Sequence, residues 1–264
     1  MRLFKTLLLL ACFAAPHVSM AQDKKVLRVG VNERPVFSYR STKTEFAGLD
    51  IELVKAIAEE TGYELELVHY PWQRILYLLK LGRIDMTMSA ADTEERRQYA
   101  HFSDEYFRLG HNMLFVLVED LQKYSHIRSL RDLKSNKLKI AVQRGAAYSH
   151  EYDALSREAW FERNLHVLDS VDRKIESLLI GRVDAYIGSE IGSHDMLKKM
   201  QLTQRIVPLF YLMSDEEAQT HMMYSKKTVS IEQVAEIDAA LARLKANGTY
   251  QKIIQPYSIQ PRQY

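Results

Sequence analysis

The sequence predicts an α/β protein made of two similar lobes, and three observations support this. Strand-like and helix-like segments alternate in a β-α-β-α-β order, which favours parallel sheets with crossover helices. A second series of the same kind follows an unbroken apolar run at residues 113–118. An amphipathic helix predicted over residues 230–246 comes after the second series, which indicates that the chain returns to the first lobe.

The first series follows from hydrophobic periodicity. It predicts strands at residues 27–31, 65–68 and 85–90 and helices starting at Asp50 and covering residues 72–81 and 93–99. Gly62 and Gly82 end the first two helices, because glycine readily adopts the left-handed conformation of a helix C-terminus. These segments together predict one complete α/β lobe.

The second series repeats this pattern after a predicted capping box at Ser129–Asp132. It predicts strands at residues 138–142, 165–168, 183–187 and 206–212, with helices at 148–157 and 170–180. Residues 78–85 and 177–184 are similar to each other, because each segment ends a helix at a glycine and continues to an aspartate. We interpret Gly82, Gly181, Asp85 and Asp184 as turn chemistry that indicates two related lobes.

The N-terminus has the features of a secretory signal. Arg2 and Lys5 precede an apolar stretch at residues 6–15, and Ser19-Met20-Ala21 offers small residues to a signal peptidase. The apolar stretch is too short to span a bilayer. The sequence therefore predicts a cleaved Sec signal peptide over residues 1–21 and a mature protein in the periplasm that starts at residue 22.

A lipid-anchored form is an alternative, because Leu10-Ala11-Cys12 loosely resembles a lipoprotein cleavage site. Cys12 is the only cysteine, so cleavage after Ala21 leaves neither disulfides nor thiolate metal sites. Cleavage also leaves 34 basic and 34 acidic residues, a balance that does not favour a nucleic-acid partner.

A set of short motifs occurs in a fixed order along the mature chain. They are Leu27-Arg28-Val29-Gly30-Val31, Gly48-Leu49-Asp50-Ile51-Glu52-Leu53, Gly82-Arg83-Ile84-Asp85, Thr93-Glu94-Glu95-Arg96, Phe102-Ser103-Asp104-Glu105-Tyr106, Leu130-Arg131-Asp132-Leu133, Gly181-Arg182-Val183-Asp184-Ala185 and Leu244-Lys245-Ala246-Asn247-Gly248-Thr249-Tyr250. In this order they resemble the bacterial extracellular solute-binding proteins of family three, the polar amino-acid receptors of ABC importers.

The resemblance implies a periplasmic-binding-protein-like fold of type II, in which two α/β lobes joined by two crossing hinge strands close on a ligand. It implies a first lobe over residues 22–117, a second over 118–217, and a return to the first lobe over 218–264. The crossings are expected at residues 113–118 and around 220–224. Ligands bind at strand carboxyl ends in such folds, and closure buries them.

The implied function is capture of a small polar, carboxylated solute, an amino acid or a related compound, and its delivery to an ABC permease. A monomer without cofactor is expected. One alternative is a sensory receptor for a kinase or chemoreceptor, and another is a cyclohexadienyl dehydratase-like enzyme that uses Glu190 as general acid. The sequence has no H-E-x-x-H or G-x-S-x-G motif, so neither a catalyst nor a metal site is predicted.

The resemblance implies that Arg96 pairs with the ligand carboxylate, since the arginine of a T-x-x-R segment does so in family members. A guanidinium forms two parallel hydrogen bonds with a carboxylate, which suits this role. Considered alone, an arginine next to Arg97 would be read as an exposed helix residue. Three places differ from the amino-acid receptors. Those receptors have serine or threonine hydroxyls where this chain has Ser89-Ala90-Ala91-Asp92, and often Gly-Ser/Thr-Thr where it has Gly145-Ala146-Ala147. They also have an acidic residue where this chain has Ser189, with Glu190 as the next carboxylate. These differences make another polar or carboxylated solute an alternative to an ordinary amino acid.

Other candidates are aromatic or basic. Trp72 at a helix start could stack on a ligand, with Arg74 as a second anion contact, although a core tryptophan and a solvated arginine are equally compatible with the sequence. Phe37 and Tyr39 follow the first strand, where family members carry an aromatic platform. Tyr148 could contribute from the second lobe or lie on a helix surface.

Overall fold

A computed structural model describes residues 25–209 and 219–257. The predicted signal peptide and the last three residues of the predicted strand at 206–212 lie outside these ranges. Within the described ranges, every helix is too short or too polar to cross a membrane.

The first sheet has five strands in the order β4-β1-β5-β12-β6. They are β1 (Val26–Val31), β4 (Glu64–His69), β5 (Met86–Ala90), β6 (Ala100–Phe102) and β12 (His221–Ser225). A small hairpin of β2 (Tyr39–Arg40) and β3 (Phe46–Ala47) stands beside it. The helices of this lobe are α1 (Leu49–Thr61), α2 (Trp72–Leu81), α3 (Glu94–Arg97), α10 (Ile231–Ala246) and α11 (Thr249–Ile254), followed by a 3₁₀ turn at Gln255–Tyr257.

The second sheet also has five strands, in the order β11-β7-β10-β8-β9. They are β7 (Asn112–Leu117), β8 (Ile140–Gln143), β9 (Leu165–Leu168), β10 (Ala185–Ser189) and β11 (Ile206–Leu209). Its helices are α4 (Leu121–Tyr124), α5 (Leu133–Asn136), α6 (His150–Leu155), α7 (Ala159–Glu162), α8 (Val171–Leu179) and α9 (Glu190–Lys199), with 3₁₀ turns at Val118–Asp120 and Leu130–Asp132.

Strand pairing confirms the predicted two-lobed α/β architecture. In the first sheet β1 runs parallel to β4 and β5, as crossover helices require, and β12 enters antiparallel between β5 and β6. The tail helix α10 packs on α1 and buries Val234, Ile237 and Leu241 in the core of the first lobe. The chain therefore returns to the lobe in which it began.

The first crossing differs from the expectation. Residues 112–117 form β7, which pairs antiparallel with β10 and β11 in the second sheet, so the lobe boundary expected after residue 117 lies before Asn112. An unbroken apolar run is typical of any strand covered on both faces, so the run alone could not identify a crossing. The first connection between the lobes instead lies before β7, at Phe107 and Arg108. It contacts the second connection there, because Thr220 N donates to Arg108 O over 3.0 Å and Phe107 N donates to Thr220 O over 2.6 Å.

The repeated helix–strand junctions have the same geometry in both lobes. Gly82 and Gly181 have φ of +72° and +66°, which favours glycine. Asp85 Oδ2 accepts a hydrogen bond from Arg28 N over 2.8 Å, and Asp184 Oδ2 accepts one from Lys139 N over 2.8 Å. Each aspartate thus ties the start of its strand to the neighbouring parallel strand, which explains the sequence similarity of residues 78–85 and 177–184.

Candidate ligand-binding cleft

A cleft of about 980 Å³ lies between the lobes and is lined by residues of both. The loops after β1 and β5 contribute from the first lobe, and those after β8 and β10 from the second. Both connecting segments also line it, through Arg108 and Thr220. The cleft therefore occupies the carboxyl ends of the parallel strands, where open α/β sheets bind ligands.

Arg96 lies in this cleft and is 5% exposed. Its helix α3 begins at Thr93, whose hydroxyl accepts a hydrogen bond from Arg96 N over 3.3 Å. Nη1 donates to Ala91 O over 2.6 Å, and Nη2 donates to Gly145 O over 2.9 Å. Burial lowers the pKa of Arg96, and nearby Asp153 opposes this. Two of the five guanidinium N–H groups thus donate to carbonyls, and the other three have no acceptor among the described residues.

The carbonyl of Gly145 joins the two lobes. Besides Arg96 it accepts a hydrogen bond from Trp72 Nε1 over 3.0 Å, and the Trp72 ring centre lies 5.3 Å from the Arg96 guanidinium carbon. Gly145 follows β8 with φ of +68°, and a Cβ there would lie 1.9 Å from Gln73 Nε2 of the first lobe. Trp72 therefore lies at the cleft, as predicted by the alternative in which it faces the ligand.

A cluster of one carboxylate and two guanidinium groups stands at the hinge side of the cleft. Asp50, which is fully buried, accepts hydrogen bonds from Arg34 Nη2 over 2.6 Å and from Arg108 Nε over 2.8 Å. The Arg108 guanidinium carbon is 3.8 Å from the centre of the Phe37 ring. Burial lowers the pKa of Arg34 to about 10, although Asp50 opposes this change. Arg34, Phe37 and Arg108 all line the cleft.

Ser89 and Tyr148 also line the cleft. Ser89 is the penultimate residue of β5 and has a φ of +52°, and its buried hydroxyl has no hydrogen-bond partner among the described residues. The Tyr148 hydroxyl accepts a hydrogen bond from Gln143 N over 2.7 Å, and burial raises the pKa of this phenol. An unpartnered buried hydroxyl is costly, so Ser89 has a hydrogen bond to offer a ligand.

Three of the eight predicted ligand contacts lie outside the cleft lining: Arg74, Tyr39 and Glu190. Arg74 is exposed on α2, two positions after Trp72 and so on the opposite face. Tyr39 is 41% exposed on the hairpin. Ser189 lines the cleft and caps α9. Glu190 is the next residue, and because successive helix positions differ by about 100°, its side chain points away from the cleft. Arg96, Trp72, Phe37, Ser89 and Tyr148 are brought together.

Sequence reasoning missed three cations in the lining: Arg34, Arg108 and Lys174. Arg34 belongs to the loop after β1, so the rule that selected Phe37 applied to it as well. Lys174 occupies the same helical stripe as the apolar Val171, Ile175 and Leu178, and a lysine in such a stripe signals a buried charge. Arg108 had no signal, because its role depends on long-range contact with Asp50.

The acidic side chains that line the cleft differ in their interaction partners. Asp92 pairs with Arg97, and Glu151 accepts hydrogen bonds from the backbone N of Leu130 and Arg131. Asp153 is half-buried in α6; burial raises the pKa of its carboxyl, and Arg96 opposes this. Over residues 25–209 and 219–257, no cluster of three or more His, Cys, Asp or Glu side chains could hold a metal ion.

The family profile described as "Bacterial extracellular solute-binding proteins, family 3" matches residues 27–260. The chain belongs to this family. Family 3 relatives include the arginine-binding extracellular protein ArtP of Bacillus subtilis, which is 26% identical over 249 residues, covering 94% of this chain and 91% of ArtP. The match over almost the whole described chain confirms the predicted resemblance.

Solved structures also resemble this family 3 chain. The substrate-binding protein AbpA of Streptococcus pneumoniae, bound to L-arginine, aligns with a TM-score of 0.72 and 26% identity over 88% of this chain and 94% of that one. A histidine kinase sensor domain similar to periplasmic binding proteins aligns with a TM-score of 0.75 and 21% identity over 89% of this chain and 96% of that one. The predicted type II fold with two lobes is thus confirmed.

Proposed function

We propose that this protein captures a small carboxylated solute, an amino acid or a related compound, in the cleft between its lobes and releases it unchanged. The observation that carries the proposal is Arg96, a buried guanidinium in the cleft with N–H groups that have no acceptor in the part of the chain that the structure describes. Charge-assisted bonds from such a group offset the loss of hydration when a carboxylate is buried. The arginine-binding protein ArtP and the L-arginine complex of AbpA support the amino-acid class.

The ligand would contact both lobes only when they are closed, so binding would favour the closed state. Arg96 and Trp72 of the first lobe already reach Gly145 of the second in this structure. We place the mature protein in the periplasm, as a monomer that passes its ligand to an ABC permease. If deleting the gene abolishes a ligand-dependent response but leaves uptake of labelled ligand intact, the sensory role is the correct one.

The dehydratase alternative finds no support in the cleft, because Glu190, its proposed general acid, does not line it. Catalysis is tested directly by incubating the purified protein with prephenate or arogenate. Turnover of either compound that is lost in Glu190→Gln would overturn the proposal of a binding protein.

The binding proposal is tested with the mature protein in a thermal-shift screen of amino acids, organic acids and small peptides, since a ligand raises the melting temperature by mass action. Calorimetry of the best ligand then compares Arg96→Ala, Arg96→Lys and Arg97→Ala. Arg96→Ala should weaken binding by about 2–5 kcal/mol, which is more than tenfold. Arg96→Lys should also bind weakly, because it keeps the charge but loses the fork.

Arg97 is the matched control, because it is exposed and pairs with Asp92. Arg97→Ala should bind like the wild type. If Arg96→Ala binds equally well, or if Arg97→Ala loses as much affinity, Arg96 does not anchor the ligand.

A further inference from the structure

Lys174 is a buried cation on the second-lobe side of the cleft. It belongs to α8, is 1% exposed and lines the cleft. Its Nζ donates to Ile187 O over 2.5 Å and lies 6.0 Å and 5.7 Å from the ring centres of Tyr148 and Tyr186. Packing against two rings and one carbonyl holds the ammonium in place without neutralising it.

No acidic side chain among residues 25–209 and 219–257 forms an ion pair with Lys174. An ammonium has three N–H donors, and here one carbonyl accepts a single hydrogen bond. Burial lowers the pKa of Lys174 to about 7, with no carboxylate to oppose the change. A buried charge without a partner is expensive, so a structural role alone gives no reason for a lysine at this position.

The other cleft cations are better compensated. Arg34 and Arg108 share the carboxylate of Asp50, and Arg96 has two carbonyl acceptors and Asp153 nearby. Lys174 differs from them because it has no anionic partner among residues 25–209 and 219–257. An anion that enters the cleft would complete its environment and favour its charged form.

We propose that the solute carries two acid groups, that Arg96 of the first lobe holds one of them, and that Lys174 of the second lobe holds the other. This inference rests on the proposed function and names the ligand class, a small dicarboxylate with or without an amino group. Because the two cations belong to different lobes, such a ligand joins the lobes through both of its ends. Asp153 is available to an ammonium if the ligand has one, since Asp92 and Glu151, the other acids that line the cleft within the described residues, are already paired.

The test compares each diacid with its own mono-amide, which has the same shape but one charge fewer. The pairs are succinate with succinamate, glutarate with glutaramate, and L-glutamate with L-glutamine, measured by calorimetry on the mature protein. In the wild type, the diacid of the best pair should bind at least about tenfold more tightly than its mono-amide. In Lys174→Met this preference should disappear because the diacid weakens, while the mono-amide binds as before.

Two further variants separate charge from packing. Lys174→Gln removes the charge but keeps a donor for Ile187 O, so it should lose the preference as Lys174→Met does. Arg173→Met removes a positive charge from the exposed neighbouring position and should keep the preference. The melting temperature of each unliganded variant shows whether it is folded.

The outcomes separate the two proposals. A diacid preference that persists in both Lys174 variants shows that Lys174 does not hold the second acid. A best ligand that has one acid group, or a net positive charge, overturns the dicarboxylate class but leaves the proposed function intact. If no carboxylated solute shifts the melting temperature, the proposed function itself fails.

Discussion

The two lobes have helix–strand junctions of the same geometry, but they differ in the partners of the charged groups at the cleft. In the first lobe, Asp50 accepts hydrogen bonds from Arg34 and Arg108 before any ligand arrives. In the second lobe, the one acceptor for Lys174 among the described residues is a carbonyl. If the dicarboxylate proposal is correct, the first lobe is a preformed half-site, whereas the ligand completes the second one electrostatically. Substitutions at these groups should therefore have opposite effects on stability.

The largest effect is expected at Asp50. Asp50→Asn removes the charge that the buried Arg108 and the partly buried Arg34 share, and an uncompensated buried charge costs about 3–5 kcal/mol. Urea denaturation of the unliganded protein would measure this loss. Asp92→Asn is the control, because Asp92 pairs with the exposed Arg97 and should cost at most about 1 kcal/mol. Equal losses at the two positions would mean that Asp50, Arg34 and Arg108 do not form a buried ion network.

Replacing Lys174 should change the free energy of unfolding in the opposite direction at pH 7. Its pKa is about 7 in the folded protein, below the value of about 10.4 in an unfolded chain. Between these pH values the unfolded chain binds more protons, so the free energy of unfolding rises with pH. Burial raises the pKa values of Tyr148 and Tyr186, so these neighbours stay neutral in this window.

The measurement is urea denaturation of wild type and Lys174→Met at pH 7 and pH 10. The wild type should gain stability relative to the variant by a few kcal/mol over this range. At pH 7 the variant should be at least as stable as the wild type. Parallel pH profiles for the two proteins would show that the lysine carries no unpaired charge.

Most of the fold could be predicted from local pattern. Helix α2 was predicted with its observed bounds because its apolar residues recur on a helical period and Gly82 ends it, and the predicted capping box at Ser129 is present. The strand β7 was placed in the wrong lobe, since hydrophobicity reports burial but not the partner of a strand. Helix α9 was not predicted, because its face is only weakly apolar.

The candidate site was predictable only where one residue carried its own signal. Arg96 belongs to a motif, and Phe37 follows a strand, so both were predicted, and both line the cleft. Arg34 and Arg108 form a site only because Asp50, 16 and 58 positions away in sequence, lies between them. Arg74 and Glu190 were chosen for their chemistry. Helical geometry points each of them away from the cleft, whereas the nearby Trp72 and Ser189 line it.

The paired junctions give a finer comparison of the lobes. Asp85 accepts hydrogen bonds from Arg28 N, Nε and Nη2, whereas Asp184 accepts them from Lys139 N and the Tyr124 hydroxyl. Asp85→Ala should therefore cost about 2 kcal/mol of unfolding free energy and Asp184→Ala about 1 kcal/mol. A larger loss for Asp184→Ala would contradict this ranking.

The two junctions should also differ in acid. Burial alone would raise the pKa of Asp85, but the hydrogen bonds from Arg28 hold it below its usual value. Its contribution to stability is therefore present above the unfolded pKa of about 3.9 and is lost as the pH falls through the lower folded value. Urea titrations of wild type and Asp85→Ala should converge at low pH, and an unchanged difference there would show that the ion pair does not contribute.

The smallest effect concerns the contact between the lobes at Gly145. Gly145 and Gly181 both have positive φ, so an alanine at either position should cost roughly 1 kcal/mol of stability. A Cβ at Gly181 meets nothing within 4 Å, whereas one at Gly145 meets the end of the Gln73 side chain on the opposite lobe. Because Gln73 can rotate away, Gly145→Ala should weaken ligand binding only a few-fold, and Gly181→Ala should not weaken it. Calorimetry with the identified ligand measures this difference, and adding Gln73→Ala to Gly145→Ala should restore affinity. If the double variant stays weak, the loss comes from the Gly145 backbone and not from a clash between the closing lobes.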